Sequence, residues 1–231
     1  LLQFLQKAGT LEVPVYQRSY KWNLKQCQQL WEDIVSLARN NSIKSHFLGM
    51  VVYIEEKLSD ISFVETAFLI DGQQRLTTIS LILAAIANSL DNNNPRDQVL
   101  QEKIRNCFLF NLNSDGDQRY KLKLNREDNL TFRSILDNTG HLPIKVSKNI
   151  LRNYEFFKNC IINSKIPQQQ ILSAIHKLEI IDIALQRDID NPQLIFDSLN
   201  STGMCLSQVD QIRNYVLMGL EKEEQEDIYD S

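Results

Sequence analysis

Residues 73–90 read as a helix that is apolar on most of its faces. Leu76, Ile79, Leu81, Ile82, Leu83, Ile86 and Leu90 leave no broad polar stripe. A surface helix keeps one side for water, so a helix of this kind has to be surrounded by other elements. It is entered from a β-rich run, residues 63–70, through Asp71-Gly72. The fold is therefore expected to be built around a strand–turn–helix unit, with the remaining segments wrapped about it.

The other segments supply the wrapping. Residues 47–54 form a second β-rich run, and the polar link to 63–70 suggests a hairpin or a neighbouring pair of strands. Residues 13–22 read as extended, because Pro14 biases Val13 towards β or polyproline geometry. Tyr16, Arg18, Tyr20 and Trp22 alternate there with Gln17, Ser19 and Lys21, the period of a strand. Asn23 and Gln26 match a capping box. Cys27, Leu30, Trp31, Ile34 and Ala38 then recur at helical spacing, which predicts a helix over residues 24–39.

Asp91-Asn92-Asn93-Asn94-Pro95 is a break. Helices are expected over residues 97–110, 128–137, 147–163 and 167–177, with a short strand at 120–124 and a returning strand at 178–185. Asn191-Pro192 opens a short helix to Asn200. Ser201-Thr202-Gly203 reads as a turn, and Ser207 caps a last helix over 208–223. The sum is an α+β fold: strands towards both ends of the chain, and helices between them that do not alternate with strands often enough for a doubly wound sheet.

The 231 residues are 43% hydrophobic and 23% charged, the balance of a soluble globular protein. A net charge of −4 gives no bulk support for nucleic-acid binding, so any such contact has to come from a local patch. The longest apolar stretch, near residues 79–87, is too short to span a bilayer. With no secretory leader pattern, a cytoplasmic location is expected. A start at Leu1 instead of Met fits a piece of a longer protein. Cys27, Cys107, Cys160 and Cys205 form no C-x-x-C pair and are expected to be free thiols. His46, His141 and His176 are scattered, and no H-E-x-x-H or His-Asn-His pattern is present.

Three stretches could carry chemistry. In Asp71-Gly72-Gln73-Gln74-Arg75, the start of a helix offers free N–H groups and a positive dipole end. Gly72 lets backbone approach a ligand closely, and Arg75 can grip a phosphate with two donors. Gln73 and Gln74 can donate to phosphate oxygens or hold a water. Asp71 would repel a phosphate unless Mg²⁺ lies between them or it orients a water. The same residues also suit an ordinary capped helix. In Tyr16-Gln17-Arg18-Ser19-Tyr20-Lys21-Trp22, aromatics and an arginine could stack on a base or hold a phosphate, or could simply fill the core. In Ile195-Phe196-Asp197-Ser198-Leu199-Asn200-Ser201-Thr202-Gly203, polar groups gather beside a glycine, which a plain helix stop also explains. Asp210, Arg213 and Asn214 on the following helix allow a surface ion pair as their ordinary account.

Taken in order, these stretches, together with Val13-Pro14-Val15, His46-Phe47-Leu48-Gly49, Ile70, Leu76-Thr77-Thr78 and residues 206–215, resemble the N-terminal domain of GmrSD-type, modification-dependent restriction proteins, related to the ParB/sulfiredoxin superfamily. The resemblance covers nearly the whole chain. It implies one domain over 1–231: a ParB-like core with a small mixed sheet (1–90), a large helical insertion (91–177), and a returning strand with C-terminal helices (178–231).

The resemblance also implies an NTP-hydrolysing control domain of a phage-defence system, with Asp71, Gln73, Gln74 and Arg75 needed for hydrolysis. Gly72, Arg75, Thr77, Asn200, Ser201, Thr202 and Gly203 would bind the nucleotide, and NTP with Mg²⁺ near Asp71 would be the cofactor. Tyr16, Gln17, Arg18, Tyr20 and Trp22 are similar to a segment implicated in sensing modified DNA. Asp210, Arg213 and Asn214 form a further motif of the resemblance. Partners implied are nucleotide, DNA including modified DNA, and a nuclease domain of His-Asn-His type expected outside residues 1–231; homo-oligomerisation stays open. Two other readings compete: a sensor that binds nucleotide or DNA without turnover, and a ParB-like DNA nuclease in its own right.

Overall fold

The computed structural model describes residues 1–55, 65–112 and 114–186 and the single residue Glu224. The described residues form seven α-helices and five strands: α1 (Leu2–Lys7), β1 (Thr10–Glu12), α2 (Leu24–Arg39), β2 (His46–Glu55), β3 (Thr66–Asp71), α3 (Gln73–Asn88), α4 (Pro95–Ile104), β4 (Leu122–Lys123), α5 (Arg126–Asp137), α6 (Lys148–Asn163), α7 (Gln168–His176) and β5 (Leu178–Leu185). The sheet order is β4-β1-β3-β2-β5. β1 runs parallel to both β4 and β3, β2 is antiparallel to β3, and β5 lies parallel to β2. A mixed sheet with helices gathered about it is the α+β fold that the pattern of segments predicts. Among the described residues no helix is long and apolar enough to cross a membrane.

Helix α3 sits where its sequence requires. Every residue of it except Arg75 and Asn88 is buried. It follows β3, the middle strand of the sheet, and packs against α4, α5 and α6. Its buried hydroxyls are satisfied inside the helix: Thr77 Oγ1 donates to the Gln73 carbonyl at 2.7 Å, and Thr78 Oγ1 to that of Gln74 at 2.8 Å. Helix α2 begins at the expected capping box. The Asn23 N–H donates to Gln26 Oε1 at 2.9 Å, and Asn23 Oδ1 accepts from the Lys25 N–H at 2.8 Å. The expected pairing of the two β-rich runs is the antiparallel β2–β3 pair, and the returning strand is β5.

The sequence misleads at the N-terminal end. The expected strand over residues 13–22 is an irregular loop, and the strand there is β1, three residues upstream of it and short. Pro14 has no N–H to give to a ladder. The N–H groups of Tyr20, Lys21 and Trp22 bond to helix side chains instead of to a neighbouring strand. Helix α1 is unannounced by the pattern. Helix α4 starts earlier than expected, at Pro95 behind the Asn94 cap, and ends in a wide π-turn, Arg105–Leu109. The expected short helix to Asn200, the 201–203 turn and the helix over 208–223 lie outside the described residues.

The β3–α3 junction turns on Gly72. Its φ is +94°, and a Cβ there would lie 2.9 Å from Val51 Cγ2 and 3.0 Å from the Met50 carbonyl oxygen. Both the left-handed backbone and the approach of β2 exclude a side chain. Gly72→Ala is expected to destabilise the fold by about 1–3 kcal/mol, read as a lowered Tm in a thermal melt.

Candidate functional site

The loop over residues 13–23 is held on α3 by side chains. Gln74 Oε1 accepts from the Lys21 N–H at 2.8 Å and the Trp22 N–H at 3.3 Å, while its Nε2 donates to the Ser19 carbonyl at 3.4 Å. The amide of Gln74 is thus committed to loop backbone. Tyr20 is buried, and its hydroxyl shares a 2.7 Å hydrogen bond with Thr78 and accepts one from Asn153 Nδ2 at 3.1 Å. Asn149 Nδ2 donates to the Tyr20 carbonyl and Asn153 Nδ2 to that of Trp22. Asp128, at the start of α5, accepts from the Tyr20 N–H through Oδ2 and from the Ser147 hydroxyl through Oδ1. Burial raises the Tyr20 phenol far above its ordinary range, and pushes the Cys27 thiol beside it up to about 11.

A chain of amides links this loop to the motif. Gln17 Nε2 donates to the Ile70 carbonyl at 3.2 Å, and Gln73 Nε2 donates to Gln17 Oε1 at 3.2 Å. Gln73 is 8% exposed, and its Oε1 is buried without a partner. Beside it lies a cleft of about 180 Å³, lined by residues that include Arg18, Tyr20, Gln73, Thr77, Asn125 and Asp128. Arg18 makes no hydrogen bond or ion pair among the described residues.

The other flank of the same turn is built differently. Arg75 Nη2 donates to Asp71 Oδ2 at 2.7 Å and also to the Met50 carbonyl. Its guanidinium lies over Gly49, where a Cβ would come within 3.2 Å of Cζ, so a side chain at that position would displace the arginine. Arg75 Nε is buried without a partner. The side chains of Asp71 and Arg75 are 35% and 25% exposed, so the pair adds no more than about 1 kcal/mol to stability. Its first role is to hold Arg75 in place at the open end of α3. Among the described residues no group of three or more His, Cys, Asp or Glu is placed to hold a metal ion. A cation here would have only Asp71 from the motif.

The structure therefore brings together two of the three sequence stretches and divides the motif between two flanks. Gln73 and Thr77 line the cleft with Arg18 and Tyr20; Asp71 and Arg75 face β2. Tyr16, Gln17 and Tyr20 are buried, whereas Arg18 and Trp22 are partly exposed. Asn200, Ser201, Thr202, Gly203, Asp210, Arg213 and Asn214 lie outside the described residues, as does Cys205; Cys27, Cys107 and Cys160 are free. Sequence reasoning missed Asn125 and Asp128, whose spacing at the start of a helix looks like ordinary capping.

Asp128 is 4% exposed, and that burial outweighs its hydrogen bonds and raises its pKa above the usual carboxylate value. In the folded state the proton is held more tightly than in the unfolded chain. The stability this contributes is full at low pH and is lost as pH rises through the raised pKa. Asp128→Asn keeps an acceptor for Tyr20 and a partner for Ser147 but does not titrate. The Tm of the wild type, measured relative to that of Asp128→Asn, is expected to fall as pH rises from about 4 towards neutrality.

No curated protein matches the chain at a significant level. A family model does: that of the GmrSD restriction endonuclease, N-terminal domain, which aligns with residues 1–217. The chain belongs to the family of GmrSD restriction endonuclease N-terminal domains.

Proposed function

We propose that this chain is the nucleotide-binding and NTP-hydrolysing control domain of a phage-defence restriction system, acting beside a nuclease domain outside residues 1–231. The observation that carries the reading is the start of α3. The first internal bond of that helix runs from the Leu76 N–H to the Gly72 carbonyl, which leaves the N–H groups of residues 73–75 ahead of it without partners inside the helix. Arg75 lies in the same turn with Nε and Nη1 still able to donate. Aligned N–H groups, a helix dipole and an arginine form an arrangement suited to phosphate oxygens.

Asp71 meets the charge requirement in two ways. Its Oδ2 is engaged by Arg75, and Oδ1 is the atom that would hold Mg²⁺ together with phosphate oxygens. Bound there, Mg²⁺ would neutralise charge on the phosphates. Asp71 and Arg75 position and neutralise; the protein forms no covalent bond to the substrate in this reading. Arg18, unpaired on the loop beside the cleft, is the residue of the 13–23 segment best placed to meet nucleic acid. Buried Tyr16 and Tyr20 hold the loop instead of stacking on bases.

Phosphate release from each NTP with Mg²⁺ tests the site. Asp71→Ala and Arg75→Ala are each expected to lower the rate at least tenfold while thermal melts stay cooperative. Equal release from all three proteins would sink the assignment, and tight nucleotide binding without any release would favour a sensor that controls its partner without turnover. For DNA, Arg18→Ala is expected to weaken binding and to reduce the slope of log affinity against log salt by about one.

A further inference from the structure

The cleft between the 13–23 loop, α3 and the start of α5 contains an arrangement that phosphate binding leaves unexplained. Two side-chain amides line it with their orientation fixed from behind. The Ile70 carbonyl can only accept, so Gln17 must turn its Nε2 towards it, at 3.2 Å. Gln17 Oε1 then faces Gln73, which must turn its own Nε2 to it, also at 3.2 Å. Gln73 Oε1 is the end of that relay and has no donor. Asn125 repeats the logic in one step: its Nδ2 donates to the Gln17 carbonyl at 3.3 Å, and its Oδ1 has no donor. Gln73 is more than nine-tenths buried. A buried acceptor without a donor is unfavourable and is expected to mark a place where a donor arrives.

The remaining lining defines what that donor belongs to. Asp128 adds a carboxylate, and Arg18 adds an unpaired guanidinium. A ligand that satisfies the cleft presents several N–H donors side by side, with acceptors next to them for the arginine. Among the nucleobases guanine alone does so: N1–H and the 2-amino group are adjacent donors, and O6 and N7 are acceptors of the pair that arginine grips with two bonds. Adenine and cytosine offer one amino group each, and uracil a single N–H.

We infer that this cleft is a guanine-recognition site, in which Gln73 Oε1 and Asn125 Oδ1 accept from N1–H and the 2-amino group while Arg18 donates to O6 and N7. The inference rests on the nucleotide reading above, with the phosphates at the start of α3 and the base in the cleft on its other flank.

Titration calorimetry with GDP, IDP and ADP, which have no γ-phosphate to lose, tests it on the intact chain. IDP is guanosine diphosphate without the 2-amino group. GDP is expected to bind at least tenfold more tightly than IDP and ADP, and Asn125→Ala is expected to bring GDP down to the level of IDP while leaving IDP unchanged. The wild-type ratio needs no variant, so a misfolded Asn125→Ala does not blunt the test. Equal binding of all three nucleotides overturns the base site, with the two acceptors then serving bound water alone, and leaves the nucleotide reading standing. No binding of any of them, or of GTP, overturns that reading and the base site together. Preference for guanosine over inosine in a single-stranded oligonucleotide, with none among free nucleotides, overturns the assignment to a free nucleotide.

Discussion

A stretch of backbone that leaves a sheet gives up its ladder partners, and its buried N–H and C=O groups have to be satisfied elsewhere. Residues 13–23 do this between β1 and α2, and the rest of the site depends on how the debt is met. The partners are side chains from three helices: Gln74 on α3, Asp128 on α5, and Asn149 and Asn153 on α6. Asn125, just before α5, holds the Gln17 carbonyl. The helical block between β3 and β5 therefore does more than cover the sheet. It fixes the loop that carries Arg18 against the helix that carries Gln73.

Much of this architecture was legible. Helix α2 has its capping box and a regular apolar face, and α3 has an apolar composition that only a buried helix can carry. Strands β2, β3 and β5 are β-rich runs long enough to show. The elements that escaped are short or owe their shape to distant partners. Strands β1 and β4 span three and two residues, too few for a period to register. The alternation of Tyr16, Arg18, Tyr20 and Trp22 is real, yet Tyr20 is buried by a hydroxyl network with Thr78 and Asn153, a contact across more than 130 residues in the case of Asn153. Side chain to backbone bonds of that range leave no local signature.

The candidate site divides along the same line. Its centre was legible because Gly72 between a strand and an apolar helix has a backbone reason to be there. The split of the motif was partly written in its spacing: Asp71 and Arg75 are four apart, as are Gln73 and Thr77, so each pair shares a helix face. What faces each pair was not. Gly49 and the Met50 carbonyl come from β2, and Asn125 and Asp128 come from a helix start more than fifty residues downstream.

The two flanks of α3 also differ in how firmly they are held, and that difference bears on what each can do. On the loop side, Tyr20, Thr78, Asn153, Asp128, Gln17 and Gln73 are buried and joined through hydrogen bonds. Any other register of the loop would strand several of these groups without partners, so the network selects one arrangement and keeps the free acceptors in place. On the β2 side, the Asp71–Arg75 pair is partly exposed and weak. It can open, and Arg75 can exchange one anionic partner for another at little cost. A rigid flank suits recognition, which depends on fixed donors and acceptors. An adjustable charged flank suits a phosphate chain whose charge changes when it is cut. The sequence places both within one turn of helix, with Gly72 as the hinge point of the backbone between them.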